Sequence, residues 1–136
     1  MIQTNILGTI SMTQTVLPHM MKQKRGSIVS IGSVVGEGGR IGQSAYAMTK
    51  SSLIGYSRSI AKEMGRYNIR SNVVEPGFID TSMTKKSISN AQELLGKISL
   101  GRIGTVEEVA NVVSFLLSDA SSYITGSVAI QPFSYS

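Results

Sequence analysis

With 136 residues, 41% of them hydrophobic and 15% charged, the chain has the make-up of one globular domain rather than a disordered segment. The absence of Cys excludes disulfides, thiolate chemistry and Cys-based zinc sites, and a single His, His19, leaves no material for a His triad or a multi-His metal centre. The net charge of +5 is concentrated at Lys22, Lys24 and Arg25, and again at Lys85 and Lys86. Both clusters are read as solvated helix ends, where cations are favoured. At 6% aromatic residues the chain lacks the stacking surface of a nucleic-acid binder, so no nucleic-acid partner is expected. No apolar run approaches the ~18 residues of a membrane span, and the opening MIQTNILGTISMTQ has neither a basic leader nor transit-peptide arginines. The expectation is a soluble intracellular chain with no metal and no membrane partner.

The spacing of Ile6, Ile10, Thr13, Leu17 and Met21 predicts an amphipathic helix over residues 2–22, kinked near its end by Pro18. Gly26 closes it, and the β-branched run Ser27 to Ser33 predicts a buried strand. Residues 34–42, with four glycines, are expected to form a loop. A longer helix follows from Gln43 to Tyr67, closing near Gly65, and then a second strand from Ile69 to Val74, stopped by Glu75-Pro76-Gly77. Residues 78–104 are polar and weakly periodic, with a short helix expected around Ala91 to Lys97. Thr105-Val-Glu-Glu108 has the form of a capping box ahead of an apolar helix, and after Ser118-Asp119 a loop is expected, then Gly126 and a third strand at Val128 to Ile130. Helix and strand alternating in this way predict an α/β fold with right-handed crossovers and a parallel sheet.

Chemistry is expected at one end of that sheet. Tyr46 and Lys50 are four apart on a helix and share a face. An ammonium beside a phenol favours the phenolate, which lets such a pair act as acid or base nearer neutrality. Ser33 is expected at the carboxyl end of the first strand, and Pro76-Gly77 at that of the second. Parallel α/β sheets place ligands at those ends.

The segments NILG (5–8), GSIVSIGSVVG (26–36), YAMTK (46–50), NVVEPGFIDT (72–81) and GRIGTVEEVANVVSFLLSD…YITG (101–126) resemble, in order and spacing, the C-terminal half of a short-chain dehydrogenase/reductase. Within the family they most resemble 3-oxoacyl-[acyl-carrier-protein] reductases and related carbonyl reductases. The resemblance implies a partial Rossmann-like doubly wound sheet made of the last three strands. It implies a catalytic set of Asn5, Ser33, Tyr46 and Lys50. Tyr46 would protonate a carbonyl oxygen that Ser33 also bonds, and Asn5 would hold a relay water near Lys50. Tyr46, Lys50, Pro76, Gly77, Ile79 and Thr81 would bind the nicotinamide end of NADP(H), with NAD(H) left open. It further implies a 3-oxoacyl thioester as substrate, carried on an acyl carrier protein, with Lys22, Lys24 and Arg25 as a docking patch. A homo-oligomer, a tetramer in the family, or pairing with a full-length homologue is expected, in the cytoplasm or the mitochondrial matrix.

Departures from the family pattern are also expected. The whole of residues 1–136 would be a single truncated domain, without the first four strands, without the glycine-rich GxxxGxG or GxGxxG nucleotide loop and without a residue placed to read the adenosine ribose. Where relatives carry a Val-Asp-Gly-Gly stretch, this chain reads Ala129-Ile-Gln-Pro-Phe133.

Overall fold

The computed structural model describes residues 1–82, 84 and 91–130; Lys85 and Lys86, and the segment from Gln131 to Phe133, lie outside the described residues. A π-helical turn, Gln3–Leu7, runs into α1 (Gly8–Gln23), followed by β1 (Gly26–Ile31), α2 (Val34–Gly38), α3 (Ser44–Met64), β2 (Ile69–Glu75), α4 (Ala91–Gly96), α5 (Val106–Leu117) and β3 (Val128–Ile130). The three strands form a parallel sheet in the order β1-β2-β3, with Gly26 opposite Ile69 and Val73 opposite Val128. The predicted α/β architecture is the observed one.

Strand alternation sends neighbouring residues to opposite faces, and the helices divide accordingly. On one face Ile28 and Ile69 pack with Leu17 of α1 and Ile60 of α3, extended by Met20, Met64 and Tyr67. Ser57 of α3 and Ser71 of β2, both buried, share a hydrogen bond of 2.8 Å on this face. On the other face Ser27 donates to the Leu116 carbonyl of α5 at 2.8 Å. Arg70, between Ile69 and Ser71, points the same way. Its guanidinium donates to the carbonyls of Leu116 and Ser118 and to the Ser121 hydroxyl, at 2.9, 3.0 and 2.9 Å. One side chain thus gathers the orphan carbonyls at the end of α5, a role suited to a forked donor. Arg70→Ala should cost about 2–4 kcal/mol in urea unfolding, because charge-assisted bonds are lost and buried acceptors are stranded. Arg70→Lys should recover only part of it.

The two helix-to-strand turns use left-handed residues, Lys24 (φ 51°) and Asn68 (φ 58°), each one or two positions before a strand. The expected capping box is present. Thr105 accepts from the Glu108 N–H at 3.2 Å and Glu108 returns the bond to the Thr105 N–H at 2.8 Å. Arg102 also bonds Glu108, and these donors hold its carboxyl down to about 2.

Three expectations need correction. Residues 34–42 are not all loop, because Val34–Gly38 forms α2. Ser33 does not end the strand: β1 stops at Ile31, and Ser33 is the N-cap of α2, its hydroxyl accepting from the Val35 N–H at 3.3 Å. Ser118-Asp119 leads into a 3-10 turn, Asp119–Ser121, that places Ser121 beneath Arg70. In each case a Ser supplies the cap that makes helical geometry cheaper than an open loop. Pro18 lies inside a continuous α1.

β1 and β3 are the edges of the sheet. The outer side of β1 opens on a 550 Å³ trough between the strand, the amino end of α1, and α3, lined by Asn5, Thr9, Thr13, Ile28, Lys50 and Leu53 among others. Ile31 at the end of β1 is 43% exposed. Among the described residues no helix is long and apolar enough to cross a membrane.

Candidate active site

Backbone bonds carry the sheet past its last ladder residues and set the site's floor. Gly32 N–H donates to the Val74 carbonyl at 2.7 Å, and Val34 N–H to the Pro76 carbonyl at 3.2 Å. Ser33 and Pro76-Gly77 are therefore brought together at the carboxyl edge, as the strand order predicts. A cavity of 410 Å³ opens there, lined by Ser33, Tyr46, Gly77, Phe78, Arg40 and Gln43 among others. Ser33's hydroxyl uses a lone pair to cap α2, and its proton remains available for a ligand oxygen.

Tyr46 and Lys50 lie on α3, one turn apart. The Lys50 ammonium stands 5.8 Å from the Tyr46 ring centroid and donates to the Ile31 carbonyl at 2.8 Å. Partial burial disfavours its charged form and moves its pKa below the ordinary lysine value. Asn5 donates through Nδ2 to the Thr49 hydroxyl at 3.1 Å, and Thr49 donates to the Tyr46 carbonyl at 2.8 Å. This relay ties the amino-terminal turn to the helix that carries the pair. Asn5 and Lys50 line the same trough beside β1.

The residues expected at the nicotinamide end divide between two cavities. Gly77 faces the Tyr46 cavity. Pro76, Ile79 and Thr81 line a second, of 410 Å³, against the apolar side of α5. Thr81 Oγ1 lies 3.0 Å from the Thr84 hydroxyl. A parallel bridge joins Ile79 to Gly104 through the Asp80 N–H and the Phe78 carbonyl, at 2.9 and 3.0 Å, which turns Ile79's own N–H and C=O the other way.

The expectation that no GxxxGxG spacing occurs is wrong as stated. Gly32-Ser-Val-Val-Gly36-Glu-Gly38 has that spacing and forms a strand-to-helix turn. The turn is filled from inside. Ser33 caps its first N–H groups, and a Cβ at Gly36 would stand 2.9 Å from the Ser51 backbone nitrogen. It leaves no cradle for a pyrophosphate, so the residues present fit the nicotinamide end of a dinucleotide and not its phosphates.

Two residues beneath the site lie inside the segments YAMTK and NVVEPGFIDT, yet their sequence context alone gives them no catalytic or binding role. Thr49 is fully buried and links Asn5 to Tyr46. Glu75 is fully buried at the end of β2, and among the described residues neither carboxyl oxygen has a partner in hydrogen-bonding geometry. Its pKa is raised, first by burial and then by the charge of Glu37, against a smaller opposing effect of the Ser33 backbone N–H.

A family model described as Enoyl-(Acyl carrier protein) reductase matches residues 1–131. The chain belongs to the short-chain dehydrogenase/reductase family. A 3-oxoacyl-[acyl-carrier-protein] reductase of Thermotoga maritima is 51% identical over 128 residues, covering 93% of this chain and 52% of the relative. Carbonyl reductase family member 4 of Xenopus laevis is 50% identical over 130 residues, covering 96% of this chain and 53% of its own. The crystal structure of a 3-oxoacyl-[acyl-carrier protein] reductase from Brucella melitensis superposes with a TM-score of 0.91 at 33% identity, covering 97% of this chain and 50% of that one. This short-chain reductase chain therefore spans about half the length of the relatives it matches, and in those halves its three-stranded Rossmann-like layer is shared.

The cluster Lys22, Lys24 and Arg25 lies at the amino end of β1, the opposite end of the strand from the site. Six residues of strand put it about 20 Å from Ser33. Arg25 faces Asp119 at 3.6 Å, an exposed pair.

Proposed function

We propose that this chain is the carbonyl-activating half of an NADP(H)-dependent oxidoreductase that reduces a 3-oxoacyl thioester to the 3-hydroxyacyl form. The observation that carries the reading is the convergence of Ser33 and Tyr46 on one cavity, with the Lys50 ammonium on the face of α3 that bears Tyr46. A nicotinamide, when bound there, would supply the hydride. The Tyr46 hydroxyl gives its proton to the carbonyl oxygen, and the Ser33 O–H bonds that oxygen as negative charge grows on it. Lys50 holds positive charge beside Tyr46 and binds the nicotinamide ribose. Asn5, fixed through Thr49, keeps a water by Lys50 for proton return. Gly77 walls the nicotinamide from the Tyr46 cavity, and Pro76, Ile79 and Thr81 wall it from the neighbouring cavity against α5, with the outward N–H and C=O of Ile79 on its carboxamide. A 3-oxoacyl thioester on an acyl carrier protein suits the relatives' printed activity, and a location in the cytoplasm or the mitochondrial matrix is part of the same proposal.

The test is NADPH oxidation with a 3-oxoacyl thioester by this chain and by Tyr46→Phe, with NADH run in parallel. Loss of the general acid should lower kcat by about 10²–10⁴-fold. Equal rates in the two proteins would reject the assignment of Tyr46.

A second reading is a non-catalytic module that pairs with full-length homologues, in hetero- or homo-oligomers. The open edge of β1, with its trough and exposed Ile31, favours it. Co-elution with a full-length relative, with no turnover by the chain alone, is the result this reading expects. A chain that turns over unaided and stays monomeric would dismiss it.

A further inference from the structure

We propose that Arg40 reads a negative charge on the tail of the substrate, so that carbonyl compounds on a phosphate-bearing thioester arm are preferred over neutral ones of the same shape. The proposal rests on the carbonyl-reducing reading of the Tyr46 cavity. Arg40 lies between α2 and α3, in a turn framed by two left-handed glycines, Gly39 (φ 70°) and Gly42 (φ 79°). It lines the same cavity as Ser33 and Tyr46, and is the one cationic side chain among the described residues that does. Its guanidinium sits 5.4 Å from the ring centroid of Phe78, which also lines the cavity. That contact lays the guanidinium of this exposed residue over one wall of the cavity, where a ligand entering from solvent meets it.

Among the described residues no acceptor bonds the Arg40 guanidinium, and no carboxylate pairs with it, Glu37 three positions earlier included. Its planar fork of N–H donors is the geometry that matches a phosphate or carboxylate through two parallel bonds. The cavity wall runs from Tyr46 through Gln43 and Gly42 to Arg40. A thioester with its carbonyl at Tyr46 extends its arm along that wall toward the guanidinium. The Lys22, Lys24 and Arg25 cluster is at the wrong end of β1 for this task. The Arg40 side chain makes no hydrogen bond or ion pair among the described residues, and its carbonyl, which accepts from the Gln43 N–H at 3.0 Å, is kept by any replacement, so substitution tests recognition with little disturbance of structure.

The experiment titrates S-acetoacetyl-4′-phosphopantetheine and S-acetoacetyl-pantetheine, which differ only in the phosphate, into the chain followed by NMR. Wild type, Arg40→Gln and Arg40→Lys are compared. The wild type should bind the phosphorylated compound roughly tenfold more tightly, as one charge-assisted bidentate contact provides. Arg40→Gln should bring the two compounds level by weakening only the phosphorylated one, and Arg40→Lys should keep part of the preference. Equal binding of both compounds by the wild type overturns this proposal and leaves the carbonyl-reducing reading standing. A preference that survives Arg40→Gln also overturns it, by placing the cation elsewhere. If neither compound binds, both readings fall together. Inorganic phosphate is the competitor: displacement at equal concentration would assign the site to free anion and reject the substrate-tail reading.

Discussion

Gly36→Val should lower stability by about 1–3 kcal/mol and disorder the site with it, because α2 leans on α3 with no room for a side chain. The atoms that a Cβ at Gly36 would meet are the Ser51 nitrogen at 2.9 Å, the Lys50 carbonyl carbon at 3.1 Å and Lys50 Cβ at 3.2 Å. Two of the three are backbone, and none is the free end of a flexible chain. The helix must therefore move as a body, and Ser33, its N-cap, moves with it while Lys50 is pushed from the other side. Gly55 offers the control. It lies on the same α3 with nothing within 4 Å of its missing Cβ. Gly55→Ala should stabilise by about 0.5–1 kcal/mol, the usual helix gain over glycine. Urea unfolding of the two variants, with amide shifts of Ser33 and Lys50 as the local readout, checks the contrast. A Gly36→Val protein as stable as Gly55→Ala would show that the two helices are not in contact as described.

The second large effect concerns pH. Glu75 is fully buried, with no hydrogen bond to either oxygen among the described residues, and its pKa in the folded chain lies above the ordinary value of 4.5. Burial is the first cause and the Glu37 charge the second. In the unfolded chain the carboxyl ionises at its ordinary value. The folded state is thus favoured while the group is protonated in both states, below about pH 4.5, and this advantage is lost as pH rises through the raised folded value. Glu75→Gln keeps the shape and removes the titration. Its melting temperature should exceed the wild type's by more at pH 8 than at pH 5, with a difference of about 3–5 °C for each kcal/mol of relieved charge burial. A melting-temperature gap that is the same at both pH values would show that Glu75 does not titrate in this window.

The legibility of the sequence follows from the range over which each signal acts. Strand runs such as Ile69 to Val74 and the Thr105/Glu108 box are local patterns, and they appear where the spacing predicts them. Tyr46 and Lys50 are one helical turn apart, so a single face holds both whatever the rest of the chain does. α2 was hidden because its glycines imitate a loop, whereas Gly36 serves close packing against a helix fifteen residues further on. The one available signal was Ser33, a good N-cap ahead of Val34-Val35. The Asn5–Thr49 bond, the burial of Glu75 and the placing of Arg40 against Phe78 are contacts between distant segments, and no periodicity records them. The same holds for the division of Pro76, Ile79 and Thr81 from Gly77, which only the course of the chain after β2 decides.

The bonds that assemble the site span long stretches of chain: 44 residues separate Asn5 from Thr49, and 19 separate Lys50 from Ile31. Each such closure costs loop entropy that only the finished sheet and its helices repay. No peptide from one segment can carry the constellation, and no half-collapsed intermediate can hold it. Amide exchange at Thr49 and Lys50 therefore reports the global opening of the domain, so chemical competence and cooperative folding rise and fall as one transition.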